Sequence, residues 1–266
     1  MSNVTSKTSV KSKAADTIVV PKGVTWGPAT AVVATVVVYF AAQILGGLLV
    51  FIYPRARGWD RAVRVDWLNS VVGQFWLTFA FYGLTFGAIW WFMHMRKAKL
   101  RSIGWRKPGR YDIVFALAGF GVYFVAYIVL LSAATHLFPS INVDQKQQLG
   151  FTDTSGTRSL VLAFISLVVL PPLVEETVFR GFLYTGLRNK LKPVWAAVCT
   201  SLLFATAHLQ IGSGNPLLWA AAIDTFTLSL VLCYLRQETD SLIPGMFLHA
   251  IKNSVAFITL FLIHPH

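Results

Sequence analysis

The stretch ATAVVATVVVYFAAQILGGLLVFIY, Ala29 to Tyr53, decides the fold class. It runs without a single charged residue, and a helix needs about 20 apolar residues to cross the roughly 30 Å of bilayer hydrocarbon. Only a helix or a closed barrel satisfies every backbone amide there. Working outward, Trp67 to Met93 is also uncharged, and Ile113 to Phe138 carries His136 as its one titratable group. Four less uniform runs follow: Leu160 to Leu187, Val194 to Leu209, Leu217 to Leu235 and Leu242 to Ile263. The expectation is an all-α polytopic membrane bundle of seven helices, or eight if the last run breaks. The composition agrees, with 55% hydrophobic and only 13% charged residues and a mean hydropathy of +0.61. Soluble domains carry about 25% charged residues, so disorder, coiled coil and disulfide scaffold are excluded.

Residues 1–28, rich in Ser, Thr and Lys, read as a disordered cytoplasmic tail ahead of a membrane domain over 29–266. The apolar run that follows is too long and starts too late for a cleavable signal. The net charge of +12 suits loops that face anionic lipid headgroups, above all the basic loop from Arg96 to Arg110. No nucleic-acid-binding motif accompanies it. With the tail inside, alternate loops place 15 Lys and Arg in the cytosol and six outside, which predicts an N-in orientation. Cys199 and Cys233 lie in apolar stretches and read as small core residues.

Charged groups inside a bilayer are expensive, at least about 2.5–3.5 kcal/mol each at the centre, and here they are confined to residues 160–263. In Glu175-Glu176-Thr177-Val178-Phe179-Arg180, Glu176 and Arg180 are four apart and share a helix face, which leaves Glu175 on a neighbouring one. Pro171 and Pro172 just upstream release helix carbonyls that need other donors. Phe204 and His208 share a face, as do His249 and Asn253. The last pair suits polarisation of a carbonyl, and equally well hydrogen bonding between helices. No HExxH is present; His208, His249 and a carboxylate such as Glu175 would still make a His2Glu set of the kind catalytic zinc accepts. The same groups can run a metal-free glutamate mechanism.

In order and spacing, Glu175-Glu176-x-x-x-Arg180, Phe204-x-x-x-His208 and His249-x-x-x-Asn253, the last preceded by Ser241-Leu242-Ile243-Pro244, resemble the three motifs of the CPBP family of intramembrane proteases, over about residues 160–260. That family includes the type II CAAX prenyl endopeptidases and the bacteriocin-immunity-like Abi proteins. The resemblance implies a bundle of about eight spans around a conical cavity open to the cytosol, and a lipidated or membrane-embedded peptide as substrate. By motif position Glu175 would activate water with help from His208. His249 and Asn253 would form the oxyanion hole, with Glu176, Arg180 and Phe204 in support. Asp224 and Lys252 depart from the pattern and receive no role. A membrane scaffold that kept the motifs, and a proton-coupled transporter using the same ionisable groups, are the competing readings.

Overall fold

The computed structural model describes residues 23–144, 150, 151, 154, 156–210 and 216–263. Among them the chain forms eight helices: α1 Pro28–Ala56, α2 Arg61–Asn69, α3 Val71–Met95, α4 Asp112–Leu137, α5 Thr157–Arg188, α6 Pro193–Ala207, α7 Trp219–Thr239 and α8 Ile243–Ile263. Six of these are long and apolar enough to cross a membrane. The short ones are α2 and α6. At 1.5 Å per residue α6 reaches only about 22 Å, less than the hydrocarbon thickness.

The second predicted span starts later than expected. Residues 67–69 close α2, and Ser70 turns the chain in extended conformation while its hydroxyl accepts from the Gly73 amide at 3.2 Å. The turn is tight enough that a Cβ on Gly73 would sit 2.1 Å from the Trp67 carbonyl oxygen. Of the expected disordered tail, residues 1–22 lie outside the described residues. Val24 and Trp26 are buried. Trp26 stacks on Phe182 and donates its indole N–H to the Phe182 carbonyl at 3.2 Å. A Cβ on Gly186 would meet that indole at 2.7 Å, so glycine there permits the close approach.

The apolar flanks of α1, α3 and α4 are exposed, from Val33, Phe40 and Leu48 to Trp76, Trp91 and Val125, as helix faces against lipid would be. Running through the middle, α5 touches α1, α3, α6, α7 and α8. It is not a regular α-helix. Over Ile165–Val169 and Glu176–Leu183 it widens to π-helical pitch, with the Leu170 amide bonding Ile165 and the Tyr184 amide bonding Phe179, five residues back in each case. Such widenings concentrate at functional sites.

One end of the bundle gathers the chain entry and three connections. The Leu242 amide bonds the Gly104 carbonyl at 2.9 Å, Asn189 donates to the Trp26 carbonyl, and Arg96 reaches the Thr25 carbonyl at 3.4 Å. Between them Trp26, Ile89, Met93, Ile103, Phe182 and Leu187 form a closed core.

Candidate active site

The widened middle of α5 presents its two glutamates differently. Glu176, 1% exposed, accepts from Arg180 Nη1 at 3.0 Å and from His249 Nδ1 at 3.1 Å through the same oxygen, Oε1. Arg180 is fully buried, and its guanidinium lies 4.4 Å from the centre of the Phe204 ring, within cation–π range. Glu175 instead faces a cavity of about 220 Å³ lined by Tyr39, Tyr82, Phe179, Phe204 and His208. Its Oε1 accepts from the Tyr82 hydroxyl at 2.6 Å. Its Oε2 is buried without a hydrogen-bond partner, 3.8 Å from His249 Nε2.

Both imidazoles are oriented through Nδ1. A carbonyl oxygen only accepts, so the 2.8 Å contact between His208 Nδ1 and the Phe204 carbonyl fixes the proton on Nδ1. His208 Nε2 is then the nitrogen left for water. On His249, Nδ1–H donates to the Glu176 carboxylate, and Nε2 turns toward Glu175. The Phe204 ring holds both, with centroid distances of 4.6 Å to His208 and 6.2 Å to His249. Its spacing before His208 therefore places one aromatic wall against both imidazoles and the arginine.

Asn253 has a local task. Within α5 the Leu167 carbonyl would bond the amide of residue 171 at α pitch or 172 at π pitch, and both are prolines without an N–H. Asn253 Nδ2 supplies the missing donor at 2.9 Å. Its second N–H stays available. Lys252, the preceding residue, pairs with Asp224 at 2.9 Å, while Tyr123 donates to the other Asp224 oxygen. The two departures from the motif pattern neutralise each other across α7 and α8.

Of the trio Glu175, His208 and His249, raised as a zinc set, the first two line one cavity, and Glu175 Oε2 lies 3.8 Å from His249 Nε2. Among the described residues no group of three or more His, Cys, Asp or Glu is gathered to hold a metal ion. With His249 Nδ1 given to Glu176 and His208 Nδ1 to a carbonyl, each imidazole keeps Nε2 as its remaining ligand atom.

Tyr82 and Tyr39 were missed by the sequence reading. Each is a phenol inside an uncharged apolar run, and a buried Tyr hydroxyl almost always seeks a partner. That signal was present in the sequence without its address.

Residues 157–255 match the family described as Type II CAAX prenyl endopeptidase Rce1-like. The matched segment covers less than half of this chain. It contains all seven residues of the three motifs, whereas Tyr39 and Tyr82 lie outside it. An uncharacterized 24.3 kDa protein of Escherichia coli is 33% identical over 101 residues, which cover 37% of this chain and 44% of that protein. The match thus spans less than half of that relative's length. No solved structure matches. With its six apolar helices and its Rce1-like segment the chain is an integral membrane protein.

Proposed function

We propose that this chain is an intramembrane endopeptidase that hydrolyses a peptide bond of a membrane-associated or lipidated protein, with Glu175 as the general base. The observation that carries this reading is the division of labour on one carboxylate. Oε1 is held by the Tyr82 phenol, while Oε2 is unpaired beside a cavity that also holds His208.

In this mechanism a water lies between Glu175 Oε2 and His208 Nε2. Oε2 takes its proton as the water oxygen attacks the scissile carbonyl carbon, and the carbonyl electron pair becomes an oxyanion. His249 supplies Nε2 to that charge, and Asn253 its second N–H. As the tetrahedral intermediate collapses, the C–N bond breaks and Glu175 returns the proton to the leaving amine. The Glu176–Arg180 pair works at a distance from the reacting atoms by fixing His249 Nδ1. Tyr82 is a positioning residue that selects which Glu175 oxygen stays free.

A groove of about 600 Å³ between α1 and α6 shares Thr35, Tyr39, Phe179, Ala207 and Gln210 with this cavity. Phe40, Val36 and Leu203 give it an apolar wall, which suits a lipid chain or a transmembrane segment. The test is substrate-trapping proteomics with Glu175→Gln against the natural chain in native membranes. Expected is the accumulation of uncut membrane proteins in the variant. Unchanged processing in Glu175→Gln would overturn the assignment.

A further inference from the structure

The uncharged run that forms α1 is polar in its interior at three positions only. From Ala31 to Ile52 every residue is apolar except Thr35, Tyr39 and Gln43. They are four apart, so they form one row along a single helix face, and all three line the groove of about 600 Å³ between α1 and α6. Thr35 and Tyr39 also line the cavity of Glu175, whereas Gln43 lines the groove alone, so the row leads from the reacting groups out along the groove. Val36 and Phe40 make a second, apolar row beside it.

Polar groups inside a span need partners, because hydrocarbon supplies none. Within the chain this row finds few. The Thr35 hydroxyl is buried without a hydrogen-bond partner, whereas Thr85 and Thr206, on the same walls, bond back to the carbonyl four residues earlier at 2.7 and 2.6 Å. Thr185 and Thr200 also lack a partner, but neither lines the cavity or the groove. Gln43 is exposed at the middle of α1, where its side chain meets the Tyr39 hydroxyl. A carboxamide offers two donors and an acceptor oxygen with two lone pairs, so capacity is left over. The Tyr39 ring is held edge-on by Phe40 and Phe81, both at 5.5 Å between ring centres.

The spacing identifies the occupant. At 1.5 Å per residue the three groups stand about 6 Å apart, close to the roughly 6.6 Å over which an extended peptide repeats every second residue. Hydroxyl and carboxamide both donate and accept, which matches the N–H and C=O that a strand presents along one edge. A transmembrane helix satisfies those groups itself and a lipid chain has none, so neither would use the row. We propose that Thr35, Tyr39 and Gln43 form a subsite that binds the main chain of an extended peptide segment, laid along α1 with side chains over Val36 and Phe40. That the peptide is a substrate rests on the protease reading. From Thr35 to Gln43, about 12 Å, the row contacts about four residues of main chain, and a helical substrate must be unwound over that length to reach Glu175.

The test uses a defined probe and no catalysis. An N-palmitoyl pentapeptide of alanines with a central photoleucine is photocrosslinked to full-length Glu175→Gln in phosphatidylcholine nanodiscs, and the half-saturating concentration is read beside the melting temperature of each variant. Expected is a rise of about twofold to tenfold in that concentration for each of Thr35→Val and Gln43→Leu, the worth of one hydrogen bond. Thr35→Ser should bind as the parent does. Methylating alternate peptide nitrogens of the probe should weaken it similarly and make it less sensitive to Gln43→Leu, while palmitoyl photoleucine alone should label all variants equally. Crosslinking that does not saturate, peptide and anchor responding alike across the variants, or unchanged half-saturation in both Thr35→Val and Gln43→Leu would overturn the subsite. Substrate trapping at Glu175 reads the protease assignment separately: if trapping fails while the probe still depends on the row, the subsite stands and the protease reading falls.

Discussion

The helices α3 and α4 on one side and α7 on the other solve opposite problems. In the most apolar stretch of α4, 17% of the residues are buried inside the protein, and α3 is the same; in α7 the share is 56%. The early helices meet lipid with uncharged flanks, so their few polar atoms are conspicuous. The later helices pack on one another around buried charge, where each ion needs a partner. The difference teaches that the groups proposed to be catalytic and part of the wall around them come from separate parts of the chain. Glu175, His208, His249 and Asn253 belong to the second part. The wall that faces Glu175, with Tyr82 and Tyr39, is built by the first.

If that division is right, the largest effect comes from the group facing the wall. Glu175→Gln should lower turnover by about a hundredfold to ten-thousandfold, the usual worth of a general base, with a melting temperature at or above that of the natural chain. An active Glu175→Gln would break the comparison at its centre.

Arg180→Ala tests the second part on its own. It leaves the Glu176 carboxylate buried without its guanidinium, which typically costs about 3–5 kcal/mol, so the variant should fail by unfolding in detergent. A stable but inactive Arg180→Ala beside a destabilised Glu175→Gln would reverse the roles of the two glutamates.

Tyr82→Phe probes the contribution of the first part. Losing a hydrogen bond to a charged group removes about 1.5–3 kcal/mol, which predicts a kcat lower by about tenfold to a hundredfold on a trapped substrate, with KM unchanged. Tyr39→Phe, which lines the same cavity without bonding Glu175, is the control and should fall far less. Equal losses would assign both phenols to packing alone.

At Asn253 the effect on stability is smaller than at Arg180. Replacement by alanine strands the Leu167 carbonyl and should cost about 1–3 kcal/mol of stability, read as a lower melting temperature. Asn253→Asp, which cannot donate from its ionised form, should destabilise at least as much. No change in either would detach Asn253 from the helix it mends and leave oxyanion stabilisation as its sole task.

Much of the second part was legible beforehand because its contacts are local. Glu176 with Arg180, and Phe204 with His208, are one helical turn apart, so the 3.6-residue period alone brings them together, and both contacts are present. The paired prolines announced that a carbonyl would need a donor. Which side chain answers is another matter, since Asn253 comes from 86 residues away.

What the sequence determined by itself is thus the membrane bundle, its span boundaries to within a few residues, the charge difference between its two ends and the motifs that share a helix face. Each depends on hydrophobicity and periodicity along one segment. The tertiary structure alone decided that Tyr82 meets Glu175 across 93 residues, that His249 stands between two carboxylates, and that a core around Trp26 closes one end of the bundle. These depend on which faces of distant helices pack together, and an apolar span has nearly the same composition on every face, so nothing along the chain marks its neighbour.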